Sequence, residues 1–155
     1  MTASQNSIQH ILLADDDKDD CLLFEEALKE LSLPTHLTCV YNGEALMDLL
    51  KKADKLPHIL FLDLNMPRKN GFACLTEIKK SENLKNLPVV ILSTSFEQNN
   101  INLLYKNGAQ FYMRKPNEFA LLKNLIFQAI TLSEARNFSQ PPKEEFLLAD
   151  VNPIK

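Results

Sequence analysis

Glycine is scarce in this chain: three among 155 residues, Gly43, Gly71 and Gly108, each preceded by an asparagine (Asn42, Asn70 and Asn107). A P-loop or a dinucleotide fingerprint needs clustered glycines so that backbone can approach phosphate closely, so both are excluded. Any phosphate must be held another way. Basic runs are missing too. No Lys/Arg block exceeds two residues and the net charge is −3, which removes the electrostatic footprint of a nucleic-acid binder. No apolar run approaches the roughly 18 residues that cross a bilayer. Residues 1–7 carry neither the basic stretch nor the apolar core of a signal peptide. The cysteines are odd in number, and Cys21, Cys39 and Cys74 each sit in an apolar stretch. They read as small buried hydrophobes, not as a disulfide framework or a metal site. These absences lead to the expectation of a soluble, cytoplasmic chain with no membrane or nucleic-acid partner.

What is present is an ordinary globular balance, 45% hydrophobic and 24% charged, at a length that suits one domain. Five short apolar runs recur: Ile11-Leu12-Leu13-Ala14, Leu37-Thr38-Cys39-Val40-Tyr41, Ile59-Leu60-Phe61-Leu62, Val89-Val90-Ile91-Leu92 and Phe111-Tyr112-Met113. Most lack polar alternation, as strands covered on both faces by helices do. Helical stripes lie between and after them. Phe24, Ala27, Leu28 and Leu31 mark one, and Leu46, Leu49, Leu50 and Ala53 a second. Phe72, Leu75 and Ile78 mark a third, Ile101, Leu104 and Tyr105 a fourth, and Phe119, Leu122, Ile126 and Ile130 a fifth. Asp17 suits the N-cap of the first helix, and Asn107-Gly108 suits the end of the fourth. The spacing predicts an α/β fold, (βα)5, with a doubly wound parallel five-stranded sheet of order 2-1-3-4-5. Its ligand site falls beyond the C-terminal ends of strands 1 and 3. Residues 8–132 form this unit. Residues 133–155 read as a tail without an output domain, expected loose, with Phe138, Phe146 and Leu147-Leu148 as the residues that would dock it.

The acidic residues fall where that rule places a ligand. Asp15, Asp16 and Asp17 leave the first strand, and Asp63 leaves the third. Clustered carboxylates need protons or a cation, and oxygen-only donors without His or Cys favour a hard divalent ion, Mg2+ above all. Asp15–Asp17 also fit helix capping and turn chemistry. Asp63, which closes an Ile-Leu-Phe-Leu strand, fits a site or turn role but not a core role. Ser93-Thr94-Ser95 ends the fourth strand, and Lys115-Pro116 follows the fifth. A metal, a carboxylate nucleophile, a hydroxyl and a lysine at one rim are the parts for phosphoryl transfer to a carboxylate.

On these residues the chain resembles the receiver domains of two-component response regulators over about residues 8–132. The resemblance rests on Ile11–Asp17, on Leu62-Asp63-Leu64-Asn65-Met66-Pro67 with Asn70-Gly71-Phe72, on Ile91–Ser95, and on Gly108-Ala109 with Tyr112-Met113-Arg114-Lys115-Pro116. The order and spacing of Asp16, Asp63, Ser93 and Lys115 agree with the family. It looks especially like the stand-alone receivers found beside phytochrome-type and hybrid sensor kinases. It implies a phosphoacceptor signalling domain, not an enzyme acting on other substrates. By resemblance, Asp63 takes a phosphoryl group from a sensor histidine kinase or a histidine phosphotransfer protein. Asp16 binds Mg2+ directly, Asp15 largely through water, and the backbone carbonyl of Asn65 completes the protein ligands with Asp63. Lys115 pairs with the phosphoryl group, its peptide bond to Pro116 being cis. Ser93 is the switch hydroxyl and Tyr112 the switch aromatic, and they repack the face of helix 4, strand 5 and helix 5 toward a downstream protein target. Receivers commonly pair through that face, so a homodimer is also an expectation.

Thr94 departs from the small residue usual after the switch hydroxyl. With Asn65 and Ser95 it flanks the pocket and leaves the dephosphorylation rate open. Competing readings fit less well. A calcium loop beginning Asp15-x-Asp17-x-Asp19 would need glycine where Asp20 stands. A haloacid-dehalogenase phosphatase would normally want a cap domain, and flavodoxin would need a phosphate loop in place of the acids. A pseudo-receiver would not need Asp63, Lys115 and Ser93 together.

Overall fold

A computed structural model describes residues 8–95 and 97–149. Six strands form one sheet: β1 Gln9–Ala14, β2 Thr35–Val40, β3 Ile59–Asp63, β4 Val89–Ser93, β5 Phe111–Arg114 and β6 Leu147–Leu148. Its order is β2-β1-β3-β4-β5-β6 and every pairing is parallel. The helices are α1 Lys18–Glu30, α2 Gly43–Lys52, α3 Gly71–Lys80, α4 Gln98–Lys106 and α5 Phe119–Ala135. The expected (βα)5 unit and its 2-1-3-4-5 order are therefore present, extended by a sixth strand.

The unbroken apolar runs have the expected cause. Every residue of β3 and β4 is buried, because helices cover both faces of the sheet. One core layer takes Leu12, Leu60, Leu62 and Ile91 from the strands with residues of α2, α3 and α4. The other takes Ile11, Leu13, Phe61 and Leu92 with residues of α1 and α5. Phe24 of α1 meets Phe61 of β3 edge-on, ring centroids 4.9 Å apart, in the heart of that second layer. Burying side chains of this size is worth about 1.5–3 kcal/mol each, which is what fixes the strand ends relative to one another.

Helix punctuation sets the loops. Asp17 caps α1, its carboxylate accepting from the amides of Asp19 and Asp20. Asn42 and Asn70 do more than turn the chain. Each caps a helix, accepting from the amides of Ala45 and Ala73, with the following glycine as the first helical residue. Gly108 has φ of +93° and terminates α4.

Three expectations need correction. Phe72 is 40% exposed, and Cys74 with Leu75 and Ile78 makes the buried stripe of α3 instead. The Lys115–Pro116 bond is trans: among the described residues no peptide bond is cis. A trans bond lies only about 0.5–1 kcal/mol below cis before proline, so local contacts decide the isomer. The stretch after α5 is not loose up to residue 149. It turns through Asn137 and Phe138, both at positive φ, and a 3-10 turn at Lys143–Glu145 before pairing with β5 as β6. Phe146 and Leu148 are buried, whereas Phe138 is only half-buried. The core contacts of Phe146 and Leu148 and the open edge of β5 supply the driving force. Residues 150–155 of the expected tail lie outside the described residues.

Candidate functional site

Parallel register brings the candidate residues together. Ala14 of β1 stands opposite Leu62 of β3, so Asp15 and Asp63 are the next residues at the same sheet edge. Ser93 of β4 stands opposite Arg114 of β5, and the amide of Lys115 donates to the carbonyl of Ser93 at 2.9 Å. Asp15, Asp63 and Ser93 are buried, whereas Asp16 and Asn65 are exposed. Thr94 is exposed and Ser95 half-buried beside them.

Carboxylate oxygens of Asp15, Asp16 and Asp63, one from each, lie within 4.8 Å of one another. Such a set of hard oxygen donors, two buried and one open to solvent, fits a divalent cation of the Mg2+ class. Backbone geometry holds the acids in place. Asp15 accepts from the amide of Asp17 at 3.0 Å, and Asp63 accepts from the amide of Asn65 at 3.3 Å. The chain after Asp63 is pressed against α3, where the Gly71 amide donates to the Leu64 carbonyl at 2.9 Å. A Cβ on Gly71 would lie 2.3 Å from the Asp63 carbonyl oxygen, so only glycine allows this approach.

Lys115 is the single ammonium in this acid cluster among the described residues. Its Nζ lies 2.9 Å from Asp15, 3.1 Å from Asp20 and 3.5 Å from Asp63. Burial alone would lower its pKa, but the carboxylates of Asp15, Asp63 and Asp20 outweigh that and raise it. Asp63 responds the other way. Burial, then the charge of Asp15, push its pKa up to about 7, against the pull of Lys115 and the Asn65 amide. One cation does not balance the clustered carboxylates, and their mutual repulsion disfavours the ionised form of Asp63. Asp20 lies in the first turn of α1. Its contact with Lys115 depends on how α1 lies over the sheet, and no linear spacing carries that signal.

The hydroxyls and the aromatic are linked as a second layer. Ser93 Oγ accepts from the Ser95 amide at 3.0 Å. Tyr112 is fully buried, and its hydroxyl donates to the Ser95 carbonyl at 2.6 Å. A hollow of about 690 Å3 lies elsewhere, lined by Gln9, Thr35, His58, Glu134 and Phe138. The acid cluster is not in it. The site is a shallow rim at the strand C-termini, where a parallel α/β sheet presents its ligand site. No helix among the described residues is long and apolar enough to cross a membrane.

Comparison with known proteins agrees with this geometry. Residues 11–127 match the family described as the response regulator receiver domain. The chain is 33% identical over 120 residues to the response regulator Rcp1 of Synechocystis, covering 74% of this chain and 82% of that protein. Among solved structures it is similar to the phosphorylated cyanobacterial phytochrome response regulator RcpA. That match has a TM-score of 0.75 and 30% identity, over 88% of this chain and all of the other (100%). A Mn2+-bound form of Rcp1 matches with a TM-score of 0.72 and 30% identity, over 86% of this chain and 99% of that one.

Proposed function

We propose, from the premise that this chain belongs to the response regulator receiver-domain family of two-component signalling, that Asp63 is its phosphoacceptor. The carrying observation is the convergence of Lys115 Nζ and the Asp15, Asp16 and Asp63 carboxylates at one sheet edge. An Asp63 carboxylate oxygen attacks the phosphorus of a phosphohistidine, the P–N bond breaks, and the imidazole leaves as a neutral ring once protonated. The acyl phosphate that results carries its negative charge on oxygens within reach of Lys115.

Mg2+, held by Asp15, Asp16, Asp63 and the backbone carbonyl of Asn65, would supply neutralisation of the charge on the transferring oxygens. The donor chemistry of the site supports that assignment, as does the uncompensated charge that Asp15 imposes on Asp63. Lys115 binds the phosphoryl oxygens, and its existing ion pairs with Asp15 and Asp20 orient it. Ser93 supplies the hydroxyl to the same oxygens, with Thr94 and Ser95 at the pocket's flank. Because Ser93 and Tyr112 both bond Ser95, movement of the hydroxyl is communicated to the aromatic.

The phosphodonor is a sensor histidine kinase or a histidine phosphotransfer protein in the cytoplasm. Residues 8–132 act as the receiver unit. Its output is read from the face of α4, β5 and α5 by a downstream protein or a second copy of the chain. The chain catalyses only its own phosphorylation and dephosphorylation. Intact-mass measurement after exposure to a small phosphodonor with Mg2+ tests the reading. One phosphoryl group per chain is expected. Steady release of phosphate from phosphate esters, well beyond one equivalent, would instead identify a hydrolase.

A further inference from the structure

The chain has three histidines, and all of them stand side by side where the strands begin, at the end of the sheet opposite the acid cluster. His10 of β1 pairs with His36 of β2 in parallel register. His58, just before β3, donates its amide to the His10 carbonyl at 2.9 Å. Residues directly opposite in a parallel pair leave the sheet on the same face, with strands about 4.7–4.9 Å apart. The rings of His10 and His36 accordingly lie 5.1 Å apart between centroids. His10 is half-buried and His36 exposed.

The three rings differ in what binds them. His58 Nδ1 accepts from the His10 amide at 2.8 Å, so its proton sits on Nε2 and the ring is committed to the backbone. His10 Nε2 lies 2.9 Å from the hydroxyl of Thr38, which follows His36 on the same face of β2. That contact orients the His10 ring and leaves Nδ1 to ligate, as a second polar partner does for a metal-bound imidazole. Burial, then the neighbouring His36 and His58, lower the pKa of His10. Its ring is therefore neutral at neutral pH, the form that binds metal. Two imidazoles at this separation suit one ion bonded to a nitrogen of each at about 2.0–2.1 Å. Imidazole nitrogen favours Zn2+, Cu2+ or Ni2+, whereas Mg2+ favours the carboxylate oxygens at the other end of the sheet.

We propose that His10 and His36 chelate one divalent ion of the Zn2+ class across the β1–β2 pair, with Thr38 as the positioning residue for His10 and water completing the coordination. His58 is not a ligand, because its Nδ1 is already spent on the backbone. The ion ties β2, the strand at the sheet's edge, to β1 at the end far from Asp63. The site stands independently of phosphorylation, and its test uses no phosphodonor.

The probe is Zn2+, titrated into the full-length chain without a histidine tag, in excess Mg2+, and followed by NMR at the histidine ring nitrogens. The signals of His10 and His36 should move together and saturate at one equivalent, while those of His58 keep their Nε2–H pattern. His36→Ala should abolish the His10 response, and Thr38→Val should weaken Zn2+ binding roughly tenfold. His58→Ala should retain the binding. His36→Gln provides a second chain should the alanine variant fail to fold, as judged by a thermal melt. A His10 response that survives in a folded His36 variant would overturn the proposal, as would Zn2+ confined to Asp15, Asp16 and Asp63. Metallation of His58, or a Zn2+-dependent dimer seen by light scattering, would overturn the assignment to one β1–β2 pair.

Discussion

The ammonium of Lys115 stands 3.5 Å from the Asp63 carboxylate and 2.9 Å from that of Asp15, yet Asp63 still titrates near neutrality, at about 7. The lysine is shared. Burial and the neighbouring Asp15 charge dominate at Asp63, and the site carries an electrostatic deficit that only a further cation or a proton removes.

Stability should therefore depend on pH in a definite sense. Asp63 has a folded pKa above its unfolded value, so its ionisation disfavours the folded state. Stability is lost as pH rises from about 4 through about 7, the window between the unfolded and folded values. Without divalent ions, Asp63→Asn should be more stable than wild type above pH 7, by on the order of 2 kcal/mol. The advantage should shrink toward pH 4. Urea denaturation of both chains across that range, in chelator, measures it.

Divalent-ion binding should release protons. A cation favours the ionised Asp63, so binding at pH 6 expels a larger fraction of a proton than binding at pH 8.5. Calorimetric titration with Mg2+ in two buffers of different ionisation enthalpy reads this directly. Asp63→Asn should abolish the buffer dependence.

Gly71 should tolerate no side chain. Alanine there would meet the Asp63 carbonyl at 2.3 Å and force apart the loop that aims the carboxylate. The expected loss is about 1–3 kcal/mol, with weakened Mg2+ affinity. The adjacent Asn70→Ala removes only the cap bond to Ala73, costs about 1 kcal/mol, and should leave Mg2+ affinity nearly unchanged. Thermal melts with a metal titration separate the two.

Lys115→Ala should keep part of the phosphorylation and lose the conformational response. The carboxylate nucleophile remains, but the cation that would draw the phosphoryl group toward the β5 side is gone. The NMR signals of Tyr112 should shift on phosphorylation of wild type and stay in place in the variant. Tyr112→Phe, which removes the bond to the Ser95 carbonyl, should cost about 1 kcal/mol of stability.

The parts that follow from linear pattern were legible in the sequence. β3 and β4 are unbroken apolar runs because both faces are covered, and Asp63 stood out because a charge closed such a run. Helix caps at Asp17 and the stop at Gly108 were legible for the same local reason. What escaped depends on tertiary placement. β6 is only two residues, Leu147–Leu148, too short to show a strand period, and it forms because β5 has an open edge. Phe72 carries the helical spacing of α3 but points outward, while Cys74, a weaker apolar signal, is fully buried. Asp20 reaches Lys115 only because α1 packs with its first turn over the strand ends.

The most direct test of Asp63 as phosphoacceptor is to locate the phosphoryl group. Phosphorylation with a small phosphodonor and Mg2+, borohydride reduction and peptide sequencing by mass spectrometry should find homoserine at position 63 alone. The Asp63→Asn chain should remain unlabelled. Homoserine at another aspartate, a reduction-resistant ester on Ser93 or Thr94, or equal labelling of the two chains would contradict the assignment.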